Sequence, residues 1–252
     1  MPDAPSYEFD CDAVVQLRQP PDLARPDVTS LADNHTAEMT SAQRRQTMIN
    51  SQLRTVGVID PAVLTAMAEI AREDYVPPAL RGLAYADAAL EIAPQRWLLE
   101  PMVVALLLQN ARVVPADKVL LIGAAGGYTA AVLRHMGASV VAIEADPGLL
   151  ALTRAAGAEV IEAPLAEGHA AGAPYDLILF EGAIETVPAV IAAQLQPHGR
   201  VAAVVRDGGI GRASVGPLVT APGGAVRIGG LPFLEVAAKP LPGFEWPRAF
   251  AF

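Results

Sequence analysis

The feature that most constrains the fold is an alternation of short β-rich runs with helical segments, which begins at Lys118 and continues to about Arg206. The runs are almost continuously apolar, which is typical of strands buried on both faces of a sheet. Strands that alternate with helices predict βαβ units, because parallel strands need crossover connections. The β-rich runs are KVLLI, SVVAIE, EVIEA, YDLILFE and GRVAAVV, with helices expected after Gly127, Asp146 and Val187. The sequence therefore predicts an α/β fold with a mostly parallel sheet and helices on both faces.

The first run leads into a loop rich in glycine and alanine, VLLIGAAGGYTAAVL at residues 119–133. Gly123, Gly126 and Gly127 allow the backbone to approach a ligand closely, and the amides that open the next helix suit a polar group. A dinucleotide-binding loop needs glycine at positions 123, 125 and 128, which here are Gly, Ala and Tyr. A nicotinamide or flavin cofactor is therefore disfavoured. The alternative is a tight turn that binds no ligand.

An acidic residue, Glu144, ends the second run, 21 positions (144 minus 123) after Gly123. A carboxylate at this place accepts hydrogen bonds from both hydroxyls of an adenosine ribose. The alternative is a solvated carboxylate at the end of a strand. The strand, the loop, the helix and Glu144 together favour a cofactor that carries an adenosyl group.

The chain is predicted to consist of a tail and one domain. Residues 1–38 carry prolines and aspartates without an apolar period, which predicts a disordered N-terminal tail. Residues 39–112 form a mostly helical cap region, and residues 113–252 form the α/β core. Three helices are expected in the cap: one from about Ser41, one that Asp60 caps and Pro61 begins, and one from Glu100 to Ala111, with a loop over 71–92. The last strands, ASVGPLVT, AVRIGG and LPFLEVAA, are expected to close one sheet edge.

Charge and composition exclude several classes of function. The formal charge of -9 disfavours a nucleic-acid partner, because phosphate binding needs clustered lysine and arginine. Charged residues interrupt every apolar stretch, so no membrane span is expected, and the N-terminus lacks the features of a secretory signal. The single cysteine, Cys11, and the scattered histidines predict no metal site and favour a cytoplasmic setting.

Several longer segments resemble the protein-L-isoaspartate O-methyltransferase family from about Met39 to about Gln196. INSQLRTVGVIDPAVLTAMAEIAREDYVPPALRGLAYADAALEI is similar to the N-terminal region of the family, and LLIGAAGGYTAAVL is similar to its cofactor loop. VVAIEADP resembles its ribose-binding strand end, and APYDLILFEGAIETVP resembles its fourth strand and the following loop. The resemblance implies a Rossmann-like methyltransferase that uses S-adenosyl-L-methionine to methylate the misplaced carboxylate of isoaspartyl residues, a protein-repair activity. The implied partner is a protein or peptide substrate.

The resemblance also implies which residues bind the cofactor. Gly123, Ala125, Gly127 and Tyr128 would line the methionine and ribose side of the ligand, and Glu144 would hold the ribose hydroxyls. This cofactor has no pyrophosphate, so the loop would act by close backbone approach.

Three segments depart from the family pattern. Ala125 stands where the family has glycine, and Ala163, Pro164 and Leu165 stand where it has Gly-Asp-Gly near the adenine, which leaves Glu162 or Glu167 as substitutes. Before Pro101 the family reads approximately Gly-Gln-Thr-Ile-Ser-Gln-Pro, and its hydroxyls meet the substrate carboxylate. Here Trp97 and Leu99 replace the threonine and serine.

Two charged residues near this departure are candidate catalytic residues. Arg96 can hold a carboxylate as an ion pair, or it can be an ordinary surface arginine. Glu181 stands where the family commonly has threonine; it would repel a carboxylate substrate, or act as a base toward a hydroxyl or amine acceptor. The competing hypothesis for the whole chain is a degenerate relative that binds a partner or the cofactor without isoaspartyl activity.

Overall fold

A seven-stranded sheet forms the centre of the computed structural model, which describes residues 39–157, 159–221, 226–237 and 239–246. The strands are β1 (Leu90–Ala93), β2 (Arg96–Leu98), β3 (Lys118–Ile122), β4 (Ser139–Glu144), β5 (Ile161–Glu162), β6 (Tyr175–Ile184), β7 (Leu195–Asp207), β8 (Ile210–Gly216), β9 (Leu218–Thr220), β10 (Val226–Ile228) and β11 (Leu234–Ala237). The α-helices are α1 (Ser41–Met48), α2 (Pro61–Glu69), α3 (Pro101–Ala111), α4 (Tyr128–His135), α5 (Pro147–Ala155) and α6 (Ala189–Ala192). The tail predicted over residues 1–38 lies outside the described residues.

The sheet is mostly parallel, as the alternation of elements predicts. Its strand order is β11-β8-β7-β6-β3-β4-β5, and the pairs from β7 to β5 are parallel. Strands β8 and β11 pair antiparallel at one edge. The predicted α/β, Rossmann-like architecture is confirmed.

The apolar runs are continuous because both faces of the sheet are covered. Along β3, Leu121 packs into the hydrophobic cluster on one face, whereas Leu120 and Ile122 pack into the cluster on the other. Successive side chains of a strand point to opposite faces, so a strand buried on both sides needs an apolar residue at every position. Helix α3 is also buried along most of its length.

The predicted helix starts depend on side-chain caps. Asp60 accepts hydrogen bonds from the Ala62 and Val63 amides, and a proline follows it at the first helical position. Asp146 caps α5 in the same way. Helix α1 begins at Ser41, as expected, and is capped by Thr40, which forms a reciprocal capping box with Gln43.

The structure corrects the predicted elements at two places. The segment expected to be a loop up to Ile92 ends in strand β1, which pairs with β2 around a turn where Gln95 adopts a left-handed φ of 60°. At the C-terminal end, β8 and β11 extend the sheet as expected, but β9 and β10 form a separate two-stranded hairpin. The β1–β2 hairpin matters most, because it carries Arg96 and Trp97.

Candidate active site

The predicted site residues meet at the carboxyl ends of the parallel strands. Gly123 directly follows β3, Glu144 is the last residue of β4, and Glu181 lies in the second half of β6, where its register with β7 shifts. Ligands of open parallel sheets bind at this edge, between neighbouring strand ends. The structure brings these three residues to the same edge of the sheet.

The loop after β3 turns sharply through left-handed backbone conformations. Gly123, Gly126 and Gly127 have φ values of 80°, 84° and 96°, and Ala125 has a φ of 44°. An alanine in this region is strained, because its Cβ crowds the following carbonyl. Tyr128 then begins α4 with its side chain fully buried.

The Glu144 carboxylate is fully buried and accepts hydrogen bonds from five N–H groups. The Arg96 guanidinium binds it with two parallel N–H groups, Nη1 to Oε1 and Nη2 to Oε2, the second at 2.8 Å. The amides of Ala125, Ala145 and Asp146 donate to it at 3.2, 2.8 and 3.1 Å. A carboxylate offers about four lone-pair positions, so Glu144 has no acceptor capacity left.

Arg96 is a buried residue with only 5% of its surface exposed. The alternative of an ordinary surface arginine is therefore wrong. Its guanidinium lies directly over Gly123, where an added Cβ would come within 2.9 Å of Arg96 Nη2. Glycine at this position is required for the Arg96–Glu144 contact.

A segment near the C-terminus covers the same place. The Ala183 amide donates to the Lys239 carbonyl at 2.7 Å, and the Leu241 amide donates to the Ala183 carbonyl at 2.8 Å, so this segment follows the end of β6. The Leu241 side chain is buried, and its Cδ1 atom would lie 3.0 Å from a Cβ at Gly123. The Lys239 ammonium stacks over Trp97 of the hairpin at 4.2 Å. The hairpin and this segment together close the site.

A second buried arginine, Arg72, forms the inner wall. Its Nε donates to the Ala84 carbonyl at 2.8 Å and its Nη2 donates to the Leu99 carbonyl at 2.5 Å. Its guanidinium carbon lies 4.8 Å from the centre of the Tyr128 ring, which indicates a cation–π contact. Nothing in the sequence singled out Arg72, because its acceptors are backbone carbonyls that only the folded chain brings near.

Several buried polar atoms around this wall have no hydrogen-bond partner within the described part of the chain. They include Arg72 Nη1, Arg96 Nε, Tyr128 Oη and Glu181 Oε2. Buried polar groups are almost always paired, so unpartnered ones that cluster at a strand-end crevice indicate a polar ligand. The donors and acceptors at this edge suit a polar cofactor.

The space available does not suit an adenosyl group as the side chains are arranged. Arg96 and Leu241 fill the volume over Gly123, and Arg96 uses the Glu144 oxygens that a ribose needs. The chemistry of the donor set fits S-adenosyl-L-methionine, but the closed arrangement does not.

Burial raises the pKa of Glu181 above its ordinary value of 4.5, although Thr129 and the Arg72 guanidinium oppose the shift. Its hydrogen bond from the backbone is weak, since the Leu99 amide donates to Oε1 at 3.4 Å. The shift favours a neutral Glu181. A neutral carboxyl group does not repel an anionic ligand and can donate a hydrogen bond to it.

Glu181→Gln is expected to stabilise the protein more at pH 7 than at pH 4. A carboxyl group whose pKa is raised by folding costs stability as pH rises from its unfolded pKa to its folded pKa, and glutamine has no such cost. Thermal unfolding of both proteins from pH 4 to pH 8 measures the difference. A melting-temperature difference that stays constant across this range would contradict the assignment.

The remaining candidates lie as follows. Glu162 and Glu167 are exposed. Asp176, at the start of β6, accepts a hydrogen bond from the Lys118 amide at 2.8 Å and so links β6 to β3. Among the described residues no group of acidic, histidine and cysteine side chains has a metal-binding arrangement. Within the same residues no helix has the length and hydrophobicity to cross a bilayer.

The parallel sheet, the glycine loop after β3 and the acidic end of β4 define a Rossmann-like S-adenosylmethionine-dependent methyltransferase. The family described as protein-L-isoaspartate(D-aspartate) O-methyltransferase matches residues 43–212, which include every candidate site residue. The chain belongs to the protein-L-isoaspartate O-methyltransferase family.

Two relatives show the extent of the similarity. A protein-L-isoaspartate O-methyltransferase from Methylorubrum extorquens is 40% identical over 166 residues, which cover 64% of this chain and 73% of that protein. A protein of the same name from Methanoregula boonei is 39% identical over 175 residues, or 67% of this chain and 80% of that protein.

Solved structures support the fold. A Plasmodium falciparum crystal structure, described as a protein-L-isoaspartate O-methyltransferase in complex with S-adenosyl-L-homocysteine, superimposes with a TM-score of 0.62 at 14% identity. The match covers 77% of this chain and 96% of that chain. A second protein-L-isoaspartate O-methyltransferase structure gives a TM-score of 0.57 at 21% identity, over 68% of this chain and 62% of that chain.

Proposed function

We propose that this protein transfers the methyl group of S-adenosyl-L-methionine to the carboxylate of isoaspartyl residues in proteins or peptides. The family match over residues 43–212 carries the proposal, because it spans the loop, Glu144 and Glu181 in one colinear segment. The buried acceptor and donor groups at the strand ends support it, since they suit a polar cofactor and an anionic substrate.

Within this proposal the cofactor-binding roles go to the loop and to Glu144. The backbone at Gly123, Ala125 and Gly127 and the ring of Tyr128 would line the ligand, and the Glu144 carboxylate would accept the ribose hydroxyls. Glu144 suits this role because three backbone amides fix its position at the end of β4. The bound cofactor supplies the electrophilic methyl group.

The proposed roles of Arg96 and Glu181 concern the acceptor. An acceptor carboxylate is ionised at neutral pH and needs no general base, so the protein contributes alignment and desolvation. Arg96 would hold the carboxylate by a bidentate ion pair, and Glu181, whose protonated form burial favours, would donate a hydrogen bond from its unpartnered Oε2. These roles replace the hydroxyls that Trp97 and Leu99 lack.

The acceptor is the one partner this proposal requires. The acidic chain and its single cysteine agree with a cytoplasmic enzyme that acts on proteins, which stays a prediction. The competing function, cofactor binding without isoaspartyl methylation, is an outcome of the experiment that follows.

Methyl transfer from labelled S-adenosyl-L-methionine to a synthetic isoaspartyl peptide tests the proposal. The matched control is the same peptide with a normal aspartyl residue. We expect incorporation of alkali-labile methyl ester into the isoaspartyl peptide only. Binding of S-adenosyl-L-homocysteine without methylation of either peptide would favour the competing function.

Restoring the hydroxyl side chains is expected to raise activity. The Trp97→Thr and Leu99→Ser double variant should increase kcat/KM for the isoaspartyl peptide about tenfold, because each added hydrogen bond to a carboxylate contributes roughly 1.5–3 kcal/mol, offset by lost packing. Steady-state kinetics against peptide concentration measure the change. Trp246→Thr is the control, because Trp246 is exposed and distant in sequence from the hairpin. An unchanged or lower kcat/KM would show that these positions do not meet the acceptor.

A further inference from the structure

Arg96 and an adenosyl cofactor compete for the same carboxylate. Both Glu144 oxygens accept N–H groups of Arg96, and three backbone amides use the remaining lone pairs. A ribose cannot donate its hydroxyls to Glu144 until Arg96 withdraws, because the carboxylate has about four acceptor positions in all.

The two groups also compete for the same space. Arg96 Nη2 lies over Gly123 at a distance that would not admit even a methyl group between them. Backbone approach at this glycine is what the loop offers a ligand, and the guanidinium already uses it. The site is therefore closed by one of its own side chains.

We propose that Arg96 keeps the cofactor site closed by pairing with Glu144, and that cofactor binding transfers the Arg96 guanidinium from Glu144 to the carboxylate of the methyl acceptor. The proposal rests on the proposed function, since it takes the cofactor and the acceptor from there. It makes Arg96 a positioning residue that serves two carboxylates in turn and predicts that the cofactor binds before the acceptor.

The structure shows why Arg96 is the partner that moves. Glu144 ends a strand inside the central sheet, and three amides fix its carboxylate. Arg96 lies on a two-stranded hairpin outside that sheet, and its Nε has no partner among the described residues. Its guanidinium is thus held by Glu144 alone, and the hairpin can carry it away.

Arg72 provides the contrast within the same site. Two backbone carbonyls and the Tyr128 ring hold its guanidinium, so it forms a fixed wall. Within the described residues, the polar contacts of Arg96 are with Glu144 alone, a side chain that the cofactor needs.

A displaced Arg96 needs a new anion. A guanidinium that stays in a desolvated site without a partner is strongly unfavourable, and its planar fork matches a carboxylate. The acceptor of the proposed reaction is a carboxylate, and no hydroxyl at Trp97 or Leu99 competes for it. Burial raises the pKa of the neighbouring Glu181, which disfavours its charged form as a competitor for this pairing.

Calorimetric titration of the full chain with S-adenosyl-L-homocysteine tests the closing contact. We expect Arg96→Gln to bind S-adenosyl-L-homocysteine about tenfold more tightly than the wild type. Only the open fraction of wild-type molecules can bind the ligand, and this lowers the apparent affinity of the wild type. Arg96→Lys keeps the charge but not the bidentate geometry and should bind with intermediate affinity. Arg200→Gln is the control: it breaks another ion pair, with Asp117, at the amino ends of the strands and should leave the affinity unchanged.

Steady-state kinetics test the transfer to the acceptor. With saturating S-adenosyl-L-methionine, Arg96→Gln should raise KM for the isoaspartyl peptide about tenfold with a smaller change in kcat, because a bidentate carboxylate contact is lost. Arg96→Gln should therefore bind the cofactor more tightly and the acceptor more weakly. Substitution of a residue with a merely structural role would weaken the binding of both the cofactor and the acceptor.

The outcomes separate the two proposals. Equal or weaker cofactor binding by Arg96→Gln, with methylation intact in the wild type, overturns the closing contact and leaves the proposed function standing. Tighter binding with an unchanged KM overturns the transfer to the acceptor. No binding at millimolar ligand by any folded variant overturns the inference and the proposed function together.

A measurement on unaltered Arg96 keeps the inference testable if the Arg96 variants do not fold. Trp246→Phe leaves Trp97, the neighbour of Arg96 on β2, as the single tryptophan. Adding S-adenosyl-L-homocysteine should shift Trp97 emission with the midpoint found by calorimetry, since the hairpin moves and the Lys239 contact changes. Cofactor binding without any change in Trp97 emission would contradict the movement.

Discussion

Glu144→Ala is expected to destabilise the protein by about 3–5 kcal/mol, because it leaves the Arg96 guanidinium as an unpaired buried charge. Arg96 has 5% of its surface exposed, so water cannot replace the lost carboxylate without opening the hairpin. Three backbone amides lose their acceptor as well. Urea unfolding followed by circular dichroism at pH 7 measures the loss.

Removing both charges should recover most of this stability. A buried ion pair replaced by apolar side chains of similar size is often neutral or stabilising, since the desolvation cost of both ions disappears. The Arg96→Met and Glu144→Leu double variant is therefore expected to be more stable than Glu144→Ala. The wild type, Arg96→Met, Glu144→Leu and the double variant form a double-mutant cycle, which gives the coupling energy between the two residues.

Asp117→Ala provides a comparison at the opposite end of the strands. Its partner Arg200 is 23% exposed in its side chain and also donates to backbone carbonyls. Asp117→Ala should therefore lower the free energy of unfolding by less, about 1–2 kcal/mol, because water and the remaining contacts stabilise the Arg200 cation. A loss below about 1 kcal/mol for Glu144→Ala would show that the Arg96–Glu144 pair does not form in solution.

The sequence was sufficient for the sheet and for one side of the site. Apolar continuity predicted the strands, and the spacing from Gly123 to Glu144 predicted that loop and carboxylate meet, because both follow from local pattern and parallel topology. The sequence did not predict which residue pairs with Glu144. Arg96 lies 48 residues earlier, on a hairpin whose short strands carry no strong periodic signal.

The closing segment was missed for a similar reason. Leu241 follows glycine- and proline-rich sequence, and its position over Gly123 depends on pairing of the Lys239–Leu241 segment with Ala183. Isolated long-range bridges of this kind leave no trace in local composition. Contacts between distant segments, and not the elements themselves, decide whether the site is open.

The sequence predicts glycine-dependent backbone at Gly126, but the structure gives a different reason for the glycine. The sequence favours a glycine here for close approach to a ligand, but the structure places the carbonyl oxygen of Tyr75 directly against it. Glycine at this position lets the loop pack against the helical N-terminal region. The ring of Tyr75 continues this contact, with its centre 5.7 Å from that of Tyr128.

Gly126→Ala is therefore expected to destabilise the protein by about 2–5 kcal/mol. About 1–2 kcal/mol comes from the left-handed backbone, and about 1–3 kcal/mol comes from overlap of the new Cβ with the Tyr75 carbonyl, which cannot move without shifting the N-terminal region. At roughly 2–4 °C per kcal/mol for a domain of this size, the melting temperature should fall by about 4–20 °C. Differential scanning calorimetry measures the change.

Gly57→Ala separates the two contributions. Gly57 has nearly the same φ, 87° against 84° for Gly126, but an added Cβ there has no atom within 4 Å. It should cost only the backbone strain, about 1–2 kcal/mol. The difference between the two variants then measures the overlap with Tyr75. Equal losses of stability in the two variants would mean that the loop does not contact the Tyr75 carbonyl at Gly126. They would contradict a role of this contact in positioning Tyr75 against Tyr128.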